Sequence, residues 1–282
     1  MTGELALSVT ELVEFSARTG DLYPEGTGGP TAIQGMIAHQ KIQRARGGDW
    51  QSEVGLKFPW VLDDAVITLQ GRVDLLNDTA SKVIIEEIKT TLQPANRLPQ
   101  GKRELFWAQA RVYAGLYQQL HGACDALELR LTIADLQRDH TETLTQEIQG
   151  SAALAETERL LRIYLDWHRQ VSARLERSRA SAQALTFPFS EYRPGQRELA
   201  ADIYRTVRDG GALLAEAPTG TGKTITTLFP AAKALGEGHA DQLLYLTAKT
   251  THQRQAETTL ATMRNEGLSL PSLTLCARDK LC

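Results

Sequence analysis

The chain has 282 residues, room for about two domains of ordinary size, each with its own core. Its 31 Lys and Arg against 34 Asp and Glu leave a net charge of -3, so bulk charge announces no polyanionic partner and any nucleic acid must be met by a local patch. Cys124, Cys276 and Cys282 are too few for a disulfide framework, and no apolar run is long enough to span a bilayer; a soluble, cytoplasmic protein is expected.

The first half mixes element types. Apolar spacing predicts helices over 10–18 and 31–44, strands from about 53 to 89, a helix over 103–120, and an alternating strand carrying Leu127, Leu129, Leu131 and Ile133. Glu87 and Lys89 stand two apart on a strand, so their side chains leave the same face. Asp74 lies on the preceding strand, across a turn region placed at Asn77 and Asp78, where hairpin pairing would bring it beside Glu87. Two carboxylates and a lysine then converge. Carboxylate oxygens suit hard divalent cations such as Mg²⁺ or Mn²⁺, and such a cation acidifies water and stabilises charge on a phosphate under attack. The basic pair Lys102 and Arg103 is the first candidate for a nucleic-acid contact; its plainer reading is a solvated turn.

These residues resemble the PD-(D/E)xK nuclease superfamily, and within it the RecB-like branch that includes the CRISPR-associated exonucleases. That resemblance implies a mixed-sheet α/β nuclease domain acting on DNA, with single strands or single-stranded ends as substrate. It adds a helix histidine, matched by His39, and a Q-x-x-x-Y pair matched by Gln109 and Tyr113, which are four apart and share a helical face. By the same resemblance His39, Asp74 and Glu87 bind the metal, and Asp74, Glu87, Lys89, Gln109 and Tyr113 form the catalytic set. The alternative is a DNA-binding module, an inactive nuclease fold that grips DNA, with a non-hydrolysing nucleotide site in the second half. Cys124 alone cannot hold an iron-sulfur cluster, so none is expected in this half.

A long amphipathic helix through Leu154, Leu161, Leu165 and Leu175 is predicted to end in a linker near 178–190, dividing the chain into domains 1–180 and 181–282. Beyond it a helix over 196–208 and strands at 212–215, 243–247 and 273–276 alternate, the pattern of a parallel sheet with crossover helices. Between the first strand and a helix over 224–235, bent at Pro230 and stopped by Gly236, lies the run 217–224, Ala-Pro-Thr-Gly-Thr-Gly-Lys-Thr. Strand, glycine loop and helix are the setting of a phosphate-binding loop. Thr219, Gly220, Thr221 and Gly222 turn amides inward, Lys223 reaches the outer phosphates and Thr224 holds magnesium. ATP is the expected ligand. With Ala217 in place of the first glycine, the loop resembles those of superfamily 2 helicases, and the surrounding sequence resembles the XPD/DinG type. That resemblance assigns adenine reading to Gln196, a DNA-backbone contact to Thr247, and the first ligand of a four-cysteine [4Fe-4S] cluster to Cys282. It covers only the opening of a RecA-like motor domain. The expectation is therefore part of a longer nuclease-helicase, with weak ATP binding and no unwinding of its own; a small-molecule kinase would leave Gln196, Thr247 and the first half unexplained.

Overall fold

The structure, a computed structural model, describes residues 4–19, 29–79, 82–122, 126–218 and 220–275. It divides into two compact units, Met1–His168 and Arg169–Cys282.

In the first unit β1 (Glu4–Ser8) turns directly into α1 (Val9–Ser16), because Ser8 caps the helix and Glu11 returns the bond to the Ser8 backbone. Thr31 and Gln34 make the same capping box for α2 (Ala32–Ala45). Three antiparallel strands follow, β2 (Gln51–Leu62), β3 (Ala65–Thr79) and β4 (Lys82–Thr91). Asn77 and Asp78, expected at the turn, lie inside β3 opposite Ile84 and Val83; the β-branched residues of β4 extend the ladder as far as Thr79 opposite Lys82. After α3 (Gln100–His121) come β5 (Ala126–Asp135), β6 (His140–Gln149) and the start of α4 (Gly150–Ala184).

The sheet is mixed, with order β1-β3-β4-β5-β6 and β2 on the other edge of β3. This is the α/β mixed sheet expected for the first half. Its strand β3 is shared along one edge by two partners. β1 runs parallel to it from Val66 to Gln70, and β4 pairs with it only from Leu75 to Thr79. Between them, residues 71–74 lack a strand neighbour on that edge, while β2 continues along the other. The notch is filled by side chains: a Cβ on Gly71 would lie 2.7 Å from Tyr113 Cε1 and 2.8 Å from Val9 Cγ2, so only glycine lets them close over the strand.

Helices cover both faces of β4. Gln109 of α3 reaches Lys89 on one face, and Arg46, which caps α2, reaches Glu86 on the other. The Arg46 guanidinium grips the fully buried Glu86 carboxylate through two bonds of 2.5 and 3.0 Å, and Thr132 Oγ1 donates a third at 2.6 Å. That fork fixes the C-terminal end of α2 to the sheet. Removing one partner of a buried pair costs more than the pair contributes, because the other charge is left bare. Arg46→Ala is accordingly expected to lower unfolding free energy by about 3–5 kcal/mol, checked by urea denaturation; a loss below about 1 kcal/mol, the range of a surface pair, would show that α2 is held otherwise.

The second unit holds the end of α4, α5 (Gln196–Asp209), α6 (Lys223–Gly236, with Pro230 inside) and α7 (Thr250–Asn265). Two expectations are corrected here. Residues 178–183 are helical rather than linker, and the division between units falls inside α4, between His168 and Arg169. The RecA-like parallel sheet is absent among the described residues, since 212–215, 243–247 and 273–275 form no strand. Leu214, Leu246 and Leu273 stand 101%, 88% and 83% exposed, and runs of four or five residues cannot hold a strand without a ladder partner. What packs instead is helical: Ala182, Leu185, Ile225, Leu228, Ala232 and Met263 share one core. No helix among the described residues is long and apolar enough to cross a membrane.

Candidate active site

The notch in β3 gathers the chemistry-bearing side chains of the first unit. Continuing the β3–β4 register past Leu75 opposite Glu86 sets Asp74 across from Glu87. There the ladder opens, and side chains take over its hydrogen bonds. Asp74 Oδ2 accepts the Ile88 N–H at 2.7 Å, and the Asp74 carbonyl accepts from Gln43 Nε2 at 3.3 Å. Asp74 Oδ1 lies 3.5 Å from His39 Nδ1, brought down by α2. Glu87 Oε1 meets Lys89 Nζ at 2.7 Å, and Lys89 donates to Gln109 Oε1 at 2.9 Å while standing 5.3 Å over the Phe106 ring. Tyr113, one turn further along α3, sets Cε1 of its ring 2.7 Å and its hydroxyl 3.1 Å from where a Cβ on Gly71 would lie.

Of the sequence-predicted residues, His39, Asp74, Glu87, Lys89, Gln109 and Tyr113 thus come together. Lys102 and Arg103 fall in the first turn of α3. Gln196, Gly220, Thr221, Gly222, Lys223 and Thr224 belong to the other unit. Thr219, Cys124, Cys276 and Cys282 lie outside the described residues.

The electrostatics of the notch are unbalanced. Burial pushes the Glu87 carboxyl up to about 7, and the neighbouring Asp74 charge pushes the same way against the pull of Lys89. Glu87 Oε2 is buried with no hydrogen-bond partner. The His39 imidazole is raised chiefly by its bond to Asp74, with burial opposing. Burial, and then the Glu87 charge, raise the Tyr113 phenol well above its usual value, so it stays protonated. Among the described residues no three His, Cys, Asp or Glu side chains converge as a finished metal cage. The donor set nevertheless fits a hard cation: an orphaned carboxylate oxygen beside a second carboxylate and an imidazole.

Residues 14–196 match the PD-(D/E)XK nuclease superfamily. The chain belongs to the PD-(D/E)XK nuclease superfamily. Its members are generally nucleases that act on nucleic acid and typically use divalent ions such as Mg²⁺. The crystal structure of SSO0001 is similar at 19% identity over 58% of this chain and 78% of that one, with a TM-score of 0.36, too slight a likeness to bear on the fold. No curated protein matches the chain.

Three residues around the PD-(D/E)XK notch escaped the sequence reading. Gln43 and Arg72 line a cleft of about 480 Å³ with His39 and Glu53. Gln43 follows His39 by four on α2, and Arg72 precedes Asp74 by two on β3, so helical and strand periodicity could have found both. Glu53 carried no such signal: its left-handed backbone, φ 56°, is a tertiary feature.

Glu87 gives a pH-dependent test. Its folded pKa, about 7, lies above the ordinary 4.5, so the fold is penalised little below pH 4.5, increasingly up to pH 7, and fully above it. That penalty is on the order of 3 kcal/mol. In metal-free buffer Glu87→Gln is expected to raise the melting temperature by several degrees at pH 8 and by almost nothing at pH 4.5. Thermal melts across that range decide it; an equal effect at both ends would mean the carboxylate is not strained by its burial.

Proposed function

We propose that the first unit is a metal-dependent phosphodiesterase acting on DNA, with single strands or single-stranded ends as substrate. The observation that carries this reading is the buried, partnerless Glu87 oxygen, on a residue opposite Asp74 in the continued register and with Lys89 on its other oxygen, an arrangement that burial penalises and a cation would relieve. His39, Asp74 and Glu87 would hold one or two Mg²⁺ or Mn²⁺ ions, imidazole favouring manganese and carboxylates suiting magnesium. When bound, the metal supplies an acidified water and stabilises charge on the phosphate. Lys89, fixed by Glu87, Gln109 and the Phe106 face, presents an ammonium to the developing negative charge. Gln109 and Tyr113 act as positioning residues for that lysine and for the Gly71–Arg72 backbone. The cleft beside His39 falls within the roughly 300–1,000 Å³ that holds a small ligand, which favours an unpaired nucleotide over a duplex.

Asp74→Ala and Lys89→Ala are each expected to cut Mg²⁺-dependent cleavage of a labelled oligonucleotide by at least about 100-fold, the scale of losing one electrostatic stabiliser. Mg²⁺ or Mn²⁺ should raise the melting temperature of the parent chain and not that of Asp74→Ala. Cleavage that survives both substitutions would sink the reading; a parent that binds DNA and metal without cutting would favour the inactive binding module.

A second reading concerns the other unit, where the loop geometry supports nucleoside triphosphate binding. Gly220 and Gly222 take left-handed φ of 84° and 74°, and α6 opens directly at Lys223. Gln196 is buried against Gly222, leaving no room there for a Cβ, and Arg193 donates to the Gly220 carbonyl. Lys223 Nζ rests on the carbonyls of Ala217 and Pro218 at 2.9 and 3.0 Å, its charge held at the loop. These features support ATP and magnesium held by 219–224, as in the helicases that the run resembles. Lys223→Ala is expected to lose binding of a fluorescent ATP analogue in Mg²⁺ without lowering the melting temperature. Parental affinity in that variant would remove the assignment.

A further inference from the structure

Arg72 is an arginine that the proposed chemistry does not use. It lies two residues before Asp74 on β3, so the two side chains leave the same face about 7 Å apart along the strand. It lines the cleft that His39 opens onto. Its side chain is 69% exposed, and its ion pair, to Glu53 Oε2, spans 3.7 Å, too long for a hydrogen bond. Glu53 in turn adopts a left-handed backbone, which a non-glycine residue holds only when its surroundings require it. Glu53 falls opposite Asp74 between the pairs Ser52 with Leu75 and Val54 with Val73, and Gln43 Nε2 takes both the Asp74 carbonyl and, at 2.8 Å, Glu53 Oε1. Gln43 thereby ties the Asp74 backbone to the Glu53 side chain and holds the Glu53 carboxylate in the cleft beside Arg72.

Resting on the nuclease reading above, we infer that Arg72 binds the backbone phosphate adjacent to the one cleaved, and that Glu53 keeps the guanidinium in the cleft until a phosphate displaces it. A guanidinium suits this role, since its fork meets two phosphate oxygens at once and its charge is permanent. The spacing suits it too, because a strand lying along β3 with one phosphate at Asp74 extends toward residue 72. Arg72 then sets affinity and register, and Glu53 competes with the substrate for it.

The proposal and a merely structural ion pair differ in sign. If the pair only stabilises the fold, Arg72→Ala and Glu53→Gln weaken DNA binding alike or leave it alone. If Arg72 serves a phosphate, Arg72→Ala weakens binding and Glu53→Gln strengthens it. The experiment titrates a fluorescein-labelled single-stranded oligonucleotide into the full chain in Ca²⁺ over 50–300 mM salt, with circular dichroism to confirm folding of each variant. Arg72→Ala is expected to weaken binding roughly tenfold and to reduce the log–log salt slope by about 0.7, one single-strand phosphate. Arg72→Lys should restore the slope and only part of the affinity, and Glu53→Gln should tighten binding two- to threefold, roughly the worth of an exposed pair. An unchanged slope in Arg72→Ala, or two variants moving in the same direction, overturns the inference while leaving Asp74-dependent cleavage standing. A parent that binds no nucleic acid at all overturns both it and the nuclease reading.

Discussion

The interrupted edge of β3 is the constraint on which the site depends. Backbone groups in a sheet must be paired, and between the end of β1 and the arrival of β4 the strand has nothing beside it on that edge. Side chains do the pairing instead. Asp74 accepts the Ile88 amide and Gln43 donates to the Asp74 carbonyl, while Tyr113 packs over Gly71. Asp74 and Gln43 are therefore each oriented by a bond they cannot give up cheaply. A side chain held this way needs no reorganisation when a substrate arrives, which is what electrostatic catalysis requires. The topology thus creates the opening and also preorganises what lines it.

Glu86 and Glu87 show how the same residue type is put to different uses on the two faces of one strand. Both are buried. Glu86 receives a bidentate arginine and a threonine hydroxyl, so its charge is matched and its oxygens occupied. Such a carboxylate can only hold structure together. Glu87 has one lysine on one oxygen and nothing on the other, with Asp74 adding like charge nearby. Burial without compensation costs stability and makes chemical sense where an outside cation completes the set. The pair also explains why α2 is tied down at Arg46: that end of the helix must stay fixed if His39, two turns earlier, is to stay within reach of Asp74.

The parts legible in the sequence were those where local pattern and tertiary demand coincide. β4 and β5 are β-branched and leucine-rich because both are central, and α3 shows its apolar face because it covers the sheet. The E-x-K spacing put Glu87 and Lys89 on one face for the same reason. Other elements gave no signal. β6 is a polar edge strand, and β1 is five residues long. α7 buries only Ala256 and Met263, seven residues apart, too thin a stripe for a periodicity to register. The reverse error arose in the second unit, where short apolar runs read as strands although nothing among the described residues pairs with them. Apolarity announces a wish to be buried and cannot say whether a partner is present. Glu53 was illegible for a different reason, since its left-handed backbone carries no sequence signature and its bond from Gln43 exists only once α2 has docked on the sheet.

The glycine loop of the second unit persists without the sheet because its geometry is local. Two glycines supply the left-handed turns, α6 supplies the N-terminal amides, and Gln196 with Arg193, which lies 27 residues before Gly220, braces the loop from the start of α5. None of these needs a neighbouring strand. Lys223 meanwhile is satisfied internally by two carbonyls of its own loop. A phosphate must therefore offer the ammonium more than those bonds, each worth roughly 1.5–3 kcal/mol as a hydrogen bond to a charged group. On the nucleotide-binding reading, a triphosphate would do so by adding full negative charge to the same hydrogen-bond geometry, whereas a neutral ligand of similar shape would leave the lysine where it is. On the nucleotide-binding reading proposed above, selectivity for an anion would follow from the resting position of the lysine, before any contact with a base or a sugar is made.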